Sequence, residues 1–411
     1  MTLDTSAPVL EARPRQASGF TYVLGMPSAG GYGAGPHARE AMLGTAFHRD
    51  TAAFIRQRMP GGFMRLAAWP TRRFAHKVLH FLFARHATTR IRNTLTYLRQ
   101  RQRRATVDYM PPAVFMDATS KCSLRCPGCS TGLGVARKRT RAPLERMQDV
   151  VRQVAPTAGQ IAFYHLGEAF FNDDVFEAIA YARANGLWTM VTSHLSLDRE
   201  DLARRIVDSG LHELLVSCDG ATQAVYGHYR RGGDVERVWS NLRAIRDARD
   251  RLGRRTPHLR VKMLVFEHNW HEARAFERRA REAGADEVQF VAGNGDESFA
   301  TGVLASGTLF DVADLAWKVK LPVGRCEQVW QDMYITPDGG LFSCCLGHRD
   351  SDLFALPGET LELARLWNAP GYVATRRFFL GEIPAAGAPA NCRECLYVKE
   401  YDRARTAPSQ P

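Results

Sequence analysis

Three cysteines close together in the chain are the residues best suited to chemistry. Cys122, Cys126 and Cys129 are separated by three residues and then by two. Three thiolates from one loop can converge on one face of a four-iron cluster, which leaves the fourth iron open to a ligand from a substrate. A zinc site would need a fourth ligand, and no nearby Cys or His has zinc-finger spacing. The spacing therefore predicts a catalytic iron–sulfur centre.

A second group of cysteines lies near the C-terminus. Its candidate metal ligands are Cys326, Cys344, Cys392 and Cys395. Four thiolates would leave no open position, so this site is suited to carrying electrons or to stabilising a small domain. A structural zinc ion held by four cysteines remains the alternative. We interpret Cys345 as a bystander beside Cys344, and Cys218 as a buried thiol at a strand end.

The composition indicates a globular protein in a reducing compartment. Apolar residues make up 45% of the 411 residues and charged residues 24%, and no apolar run is long enough to cross a membrane. The first residues lack the pattern of a secretory signal, so we expect a cytoplasmic protein, in which clustered cysteines indicate metal binding. The net charge is +12, and residues 51–105 contain 13 Arg or Lys and no Asp or Glu. The excess charge therefore belongs to an N-terminal appendage.

Short apolar runs alternate with helical segments from about residue 112 onward, which predicts βαβ units and a parallel sheet. The six expected strands are Val114–Asp117, Ile161–His165, Trp188–Thr192, Glu213–Ser217, Arg260–Phe266 and Glu287–Val291. Six such units form either a partial (β/α)6 barrel or a doubly wound sheet. In both, the ligand site lies at the C-terminal ends of the strands, which is where the three-cysteine loop falls.

Four segments are expected along the chain. Residues 1–40 are rich in Gly, Pro, Ala and Ser without any period, which predicts a disordered tail. Residues 41–108 form a basic helical extension, residues 109–305 the α/β core, and residues 306–411 a small cysteine-rich domain.

The Cys-x3-Cys-x2-Cys loop after the first core strand resembles the defining motif of the radical S-adenosylmethionine (SAM) superfamily. This resemblance implies a partial TIM-type barrel, a [4Fe–4S] cluster on Cys122, Cys126 and Cys129, and SAM chelating the open iron. It also implies reductive cleavage of SAM to a 5′-deoxyadenosyl radical, which abstracts a hydrogen atom from the substrate.

Four further segments resemble family motifs that contact SAM. His165-Leu166-Gly167-Glu168-Ala169 is similar to the Gly-Gly-Glu-Pro segment, although Leu166 and Ala169 depart from it. The other three are the third strand end, a Ser-x-Asp-Gly turn and an Arg-x-Gly-Gly segment. The SAM contacts implied by the resemblance are Gly167, Glu168, Ser193, Ser217 and Arg230.

The C-terminal cysteines resemble the SPASM and twitch domains, in which a Cys, a Gly-x4-Cys hairpin and a distal Cys-x2-Cys bind an auxiliary [4Fe–4S] cluster. Gly339 and Cys344 match the hairpin. The chain has fewer cysteines here than a full SPASM domain, so the resemblance implies one auxiliary cluster, and two [4Fe–4S] clusters in all.

The leading prediction for the reaction is a two-electron oxidation of a small polyol or sugar-like metabolite, because the cysteine spacing resembles that of an aminocyclitol dehydrogenase. The alternatives are peptide crosslinking by a SPASM maturase and a non-catalytic iron–sulfur redox protein. No general base is assigned. Expected partners are the small-molecule substrate and an electron donor such as flavodoxin or ferredoxin. A basic helical cap is the first interpretation of residues 51–105, a membrane-surface contact the second, and nucleic-acid binding is disfavoured.

Overall fold

One mixed sheet organises the protein. The computed structural model describes residues 20–24, 71–136, 140–266, 268–292, 326–342, 344, 347, 349–355, 361–387 and 392. The strands in this part of the chain are β1 (Phe20–Leu24), β2 (Ala113–Met116), β3 (Gln160–Ala162), β4 (Trp188–Ser193), β5 (Glu213–Ser217), β6 (His258–Val265), β7 (Glu287–Ala292), β8 (Asp332–Ile335), β9 (Leu341–Phe342) and β10 (Leu353–Ala355).

The strand order selects the barrel over the doubly wound sheet. From β2 to β7 every strand pairs in parallel with the next strand along the chain. A doubly wound sheet would reverse its strand order at one point, and this segment does not. The α/β fold with six parallel strands is therefore confirmed, and its strands lie within a few residues of those expected from the sequence.

Helices cover the outer face of the sheet. In the described ranges they are α1 (Thr71–Phe83), α2 (Ala87–Gln100), α3 (Leu144–Val154), α4 (Asp174–Ala184), α5 (Leu202–Asp208), α6 (Gln223–Tyr229), α7 (Val235–Arg251), α8 (Ala273–Glu282), α9 (Gln328–Gln331), α10 (Leu363–Leu366) and α11 (Pro370–Phe379). Helix α7 begins where the Asp234 carboxylate accepts hydrogen bonds from the N–H groups of Glu236 and Arg237. After α4, Gly186 adopts a left-handed φ of 76°, which ends the helix as its sequence predicts.

The two faces of the sheet differ in burial. On β6 the outward residues, Leu259, Val261, Met263 and Val265, are completely buried beneath the helices. The residues that alternate with them and face the barrel interior, His258, Arg260, Lys262 and Leu264, are only partly buried. Beside β6, the barrel interior, called the lumen below, therefore admits solvent.

The basic extension is tied to the base of the barrel by specific cations. Lys77 of α1 forms a 2.6 Å ion pair with Glu213, the first residue of β5. Arg90 of α2 is completely buried and donates hydrogen bonds to the carbonyls of Ala155, Gly186 and Asn185. These carbonyls lie at helix ends, where backbone acceptors lack partners within the helix. Part of the positive charge thus serves to attach the extension to the core.

The remaining surface of α1 and α2 leaves large apolar side chains exposed. They are Val78, Leu79, Leu82, Phe83, Ile91, Leu95 and Leu98. The contact with an anionic membrane surface stays a prediction, and residues 41–70 lie outside the described ranges. None of the helices described is long and apolar enough to span a bilayer.

The expectation of disorder at the N-terminus is wrong for one short segment. Residues 20–24 form β1, which pairs in parallel with β7 from Phe20↔Glu287 to Leu24↔Val291. The strand Phe-Thr-Tyr-Val-Leu is rich in aromatic and β-branched residues, and its partner strand would otherwise end the sheet. The glycine-rich sequence around these residues obscured their strand-like composition. The rest of residues 1–40 lies outside the described ranges.

The C-terminal strands extend the same sheet beyond β2. Strand β8 pairs in parallel with β2, and β9 returns antiparallel to β8. The turn between them contains Gly339 with φ 91°, a left-handed conformation that favours glycine. The Gly-x4-Cys segment is therefore a hairpin that leads into Cys344. The domain boundary predicted at residues 305 and 306 lies outside the described residues and stays a prediction.

Candidate iron–sulfur and SAM site

The three-cysteine loop lies at the C-terminal end of β2, beside the ends of the neighbouring strands. Cys126 is buried with Tyr229 and Phe266, and Cys122 and Cys129 pack against the same cluster. All three are free thiols. Because Tyr229 follows β5 and Phe266 follows β6, the loop reaches across the mouth of the lumen. The structure thus brings the three sulfurs to the edge where parallel α/β folds bind ligands.

The segment after β3 holds the start of the cysteine loop. The Glu168 N–H donates a 2.7 Å hydrogen bond to the carbonyl of Lys121. Gly167 has a φ of 82°, and a Cβ there would lie 2.9 Å from the same Lys121 oxygen and closer still to that of Thr119. Asp117, at the end of β2, adds a further contact between the two segments, because its carboxylate accepts a 2.7 Å hydrogen bond from the Leu166 N–H. Only glycine allows this approach of two backbones.

Glu168 connects this segment to the end of β4. Its carboxylate is buried and accepts a 2.9 Å hydrogen bond from the N–H of His194, whose Nε2 lies 3.3 Å away. The Nδ1 of His194 accepts a hydrogen bond from the Ser196 N–H, so the neutral ring carries its proton on Nε2. Burial lowers the pKa of His194, with Arg230 adding to this effect and Glu168 opposing it. A neutral His194 therefore donates toward Glu168.

Asp219 and Arg230 form a buried ion pair beside the cysteines. Arg230 Nε lies 2.5 Å from Asp219 Oδ2, and the other carboxylate oxygen accepts from the Leu264 N–H at 2.7 Å. The guanidinium also places one nitrogen 3.8 Å from Cys126 Sγ. A hydrogen-bond donor with a positive charge beside a thiolate stabilises the added electron of a reduced cluster. Asp219 thus orients the cation that acts on Cys126.

Burial raises the pKa of the Cys122 thiol to about 12 and that of Cys126 to about 11, with Arg230 opposing the shift at Cys126. Without a metal these thiols keep their protons, and binding of cationic iron would displace them. Among the described residues, no group of three or more His, Cys, Asp or Glu is arranged to hold a single metal ion. The irons of a cubane occupy separate corners, so its thiolates stand farther apart than the ligands of one ion.

The structure places the five predicted SAM contacts at adjacent strand ends. Gly167 and Glu168 follow β3, and Ser193 ends β4 with its hydroxyl accepting a 2.9 Å hydrogen bond from the Leu195 N–H. Ser217 ends β5 on the lumen side, and Arg230 follows α6. Their roles toward SAM stay predictions, because the contacts described here join residues of the chain to one another.

One of the four C-terminal cysteines contacts a helix. The Cys392 sulfur is 3.9 Å from the Thr375 hydroxyl of α11. Burial raises the pKa of Tyr372, one turn earlier, and the negative charge of an ionised Cys344 adds to this shift. Cys326 is partly buried against the main core. Cys395 lies outside the described residues, so the auxiliary cluster stays a prediction.

Comparison with known proteins agrees with this geometry. Residues 116–292, from β2 to β7, match the model of the radical SAM superfamily. The family match therefore concerns this α/β core, which is less than half of the chain. The match begins at the last residue of β2 and covers all three loop cysteines together with the strand ends around them.

Curated relatives resemble this core over part of their length. The PqqA peptide cyclase of Rhodopseudomonas palustris is 29% identical over 117 residues, which are 28% of this chain and 31% of the relative. That of Streptomyces rochei is 30% identical over 121 residues, 28% of this chain and 33% of the relative. The chain therefore matches about a third of the length of these relatives.

A solved structure supports the fold. SuiB of Streptococcus suis, bound to the precursor peptide SuiA, superposes with a TM-score of 0.50 at 13% identity and covers 82% of this chain and 76% of that one. At this identity the likeness concerns the fold. It agrees with a partial barrel.

Radical SAM proteins use a [4Fe–4S] cluster and SAM, and the residues present fit both. Three thiols, one buried and two partly buried, share one loop, and a guanidinium and a backbone N–H act as donors to Cys126 and Cys122. The lumen beneath them admits solvent and is partly lined by polar residues. Cys122, Cys126 and Cys129 would hold the cluster.

Sequence reasoning missed three residues that shape this site: Asp117, His194 and Asp219. All three are buried. Asp117 and His194 accept hydrogen bonds from backbone N–H groups next to or near predicted contacts, and Asp219 forms an ion pair with the predicted contact Arg230. Asp219 lies within the Ser-x-Asp-Gly turn, and His194 directly follows Ser193 at the end of the third core strand. The available signal was that each is a polar residue at a strand end. The signal was insufficient because the sequence does not show which residues of other loops these side chains meet.

Proposed function

We propose that this protein is a radical SAM enzyme that modifies a peptide. The observation that carries the proposal is the sequence similarity of its core to peptide cyclases of two bacteria. This similarity favours the peptide alternative over oxidation of a small polyol, which rested on the spacing of the C-terminal cysteines. The proposed partner is accordingly a peptide substrate.

The cluster and SAM, when bound, supply a 5′-deoxyadenosyl radical that removes a hydrogen atom from the substrate. The chain's own residues hold and shield this chemistry. Tyr229 and Phe266 cover Cys126 from solvent, and Arg230 places its charge beside that sulfur. Glu168 and His194 join the ends of β3 and β4, which fixes the wall of the site before any ligand binds.

The C-terminal segment is proposed to hold an auxiliary [4Fe–4S] cluster on Cys326, Cys344, Cys392 and Cys395. The β8–β9 hairpin with Gly339 at its turn supports this proposal, because the hairpin leads into Cys344. The contact of Cys392 with Thr375 of α11 is consistent with it. Iron analysis of the anaerobically purified chain tests it: two clusters require about eight irons per chain, and one cluster about four.

The test of the reaction begins with SAM alone. The reconstituted protein is reduced anaerobically, and 5′-deoxyadenosine is measured by liquid chromatography. We expect the wild type and Cys218→Ala to form it and Cys126→Ala to form none. Cys218 is a matched control, because it is also buried but lies in the main core at the β5 end. Absence of 5′-deoxyadenosine from the wild type would favour the redox-protein alternative.

The substrate class is decided in a second step. Candidate peptides and candidate aminocyclitols are added to the same assay, and mass spectrometry follows the loss of two hydrogens. We expect a peptide to increase 5′-deoxyadenosine formation and to lose two hydrogens with its sequence intact. An aminocyclitol that becomes a ketone, with every peptide unchanged, would overturn the peptide proposal.

A further inference from the structure

A row of polar residues crosses the lumen on three neighbouring strands. Ser217 of β5 pairs in register with Lys262 of β6, and Lys262 pairs with Gln289 of β7. Residues paired directly on parallel strands project to the same face, and adjacent strands lie about 4.8 Å apart. The row lies one lumen layer below Leu264, whose N–H binds Asp219. It therefore forms part of the surface that a ligand in the lumen would meet.

Lys262 is a cation without an anion. In the described part of the chain it takes part in no ion pair and no hydrogen bond through its ammonium group. The two arginines near it have partners: Arg230 pairs with Asp219 at 2.5 Å, and Arg260 with Glu287 at 2.8 Å. Partial burial and the nearby Arg230 lower the pKa of Lys262 to about 8, and Asp219, which is paired with Arg230, opposes this shift. The ammonium group is thus partly desolvated without a paired carboxylate of its own.

Gln289 has a free donor at the same level. Its side chain is completely buried, and its Oε1 accepts a 3.3 Å hydrogen bond from Arg260. Because a guanidinium only donates, this bond fixes which end of the amide is the oxygen. The Nε2 group then has no acceptor among the described residues. A buried donor without a partner costs about 1–3 kcal/mol, so the Gln289 amide beside the Lys262 cation indicates a missing acceptor.

We propose that Lys262 and Gln289 bind a carboxylate of the substrate within the lumen. A cation and an amide donor on adjacent strands match the two oxygens of one carboxylate, with the cation supplying the stronger, charge-assisted bond. Under the proposed function, on which this inference rests, the carboxylate belongs to an acidic side chain or to the C-terminus of the peptide. The proposal thereby restricts the candidate substrates to peptides that present a carboxylate to the lumen.

The test measures binding in the absence of reductant, so it does not depend on radical chemistry. The SAM-loaded, reconstituted protein is titrated calorimetrically with N-acetyl-glutamate α-amide and with N-acetyl-glutamine α-amide, which have nearly the same shape and differ in charge. N-acetyl-leucine carries only a terminal carboxylate, so it tests whether the site binds the C-terminus of a peptide instead of an acidic side chain. We expect the wild type to bind one of the carboxylates at least tenfold more tightly than the glutamine probe.

Three variants accompany the wild type. Lys262→Met should abolish the tenfold preference, and Lys262→Arg should retain part of it. The melting temperature of Lys262→Met should equal or exceed that of the wild type, because the variant removes a partly desolvated charge that has no ion-pair partner among the described residues. Arg251→Met removes one positive charge from the exposed end of α7 and should leave the preference unchanged.

Several outcomes would overturn the proposal. Equal binding of charged and neutral probes to the wild type would do so, and so would a lower melting temperature of Lys262→Met, which indicates a structural role. If Lys262→Met weakens SAM binding by the same factor, the carboxylate is that of SAM and not of the substrate. The peptide proposal fails on a different result. In that case the turnover assay leaves every peptide unchanged, while the calorimetric preference for a carboxylate persists.

Discussion

Replacement of Gly167 by alanine tests how the cysteine loop is positioned. A Cβ at this residue would lie 2.8 Å from the Ser120 carbonyl carbon and 2.9 Å from the Lys121 oxygen, and closer still to the Thr119 oxygen. All of these are backbone atoms, so the loop must move by up to about 1 Å to restore ordinary contact. Cys122 follows directly and must move with it.

The expected magnitude has two parts. Alanine in a left-handed conformation costs about 1–2 kcal/mol, and forcing atoms into a closely packed region costs about 1–3 kcal/mol more. Gly253→Ala is the matched control, because Gly253 also has a positive φ, of 60°, but nothing lies within 4 Å of the position that its Cβ would occupy. Gly253→Ala should show only the conformational cost of a left-handed alanine. The difference in unfolding free energy between the two variants therefore measures the cost of the steric clash at Gly167.

Two measurements read out this difference. Urea unfolding followed by tryptophan fluorescence should show a larger loss of unfolding free energy for Gly167→Ala, by about 1–3 kcal/mol. Iron analysis after anaerobic reconstitution should show less iron in Gly167→Ala and normal iron in Gly253→Ala. If both variants lose the same stability and bind the same iron, the approach of these two backbones does not position the loop.

Three further predictions concern buried charges. Arg90→Met should lower the unfolding free energy by about 2–4 kcal/mol, because it leaves buried carbonyls unpaired, whereas the exposed Arg92→Met should change it little; urea denaturation compares them. Arg230→Gln should lower the potential of the reconstituted cluster by on the order of 60 mV, measured by an EPR-monitored redox titration, and an unchanged potential would show that the guanidinium does not act on it. His194 has a folded pKa below its ordinary 6.5, so the unfolded chain binds the proton first and stability falls as the pH drops through about 6.5. His194→Gln should make that fall smaller in unfolding measurements near pH 7 and pH 5.5, and an identical fall in both proteins would contradict the assignment.

The fold was predictable where local pattern and global structure agree. Strands β2 and β5 carry near-continuous apolar runs because both of their faces are buried. The glycines after the helices mark where the chain turns back. Strand β1 escaped prediction because the glycine-rich residues around it obscured its aromatic and β-branched composition. Its pairing partner β7 lies far away in the sequence, so no local pattern indicated the pairing.

The cysteine spacing by itself predicted the kind of chemistry. Three thiols within one loop can reach one cluster whatever surrounds them, so the sequence alone predicts Cys122, Cys126 and Cys129 as its ligands. The tertiary structure decided which residues act on that loop. Arg230 reaches Cys126 across 104 positions of sequence, and Lys262 meets Gln289 only through strand register. Contacts between residues so far apart follow from the packing of separate strand ends, which no local pattern of residues encodes.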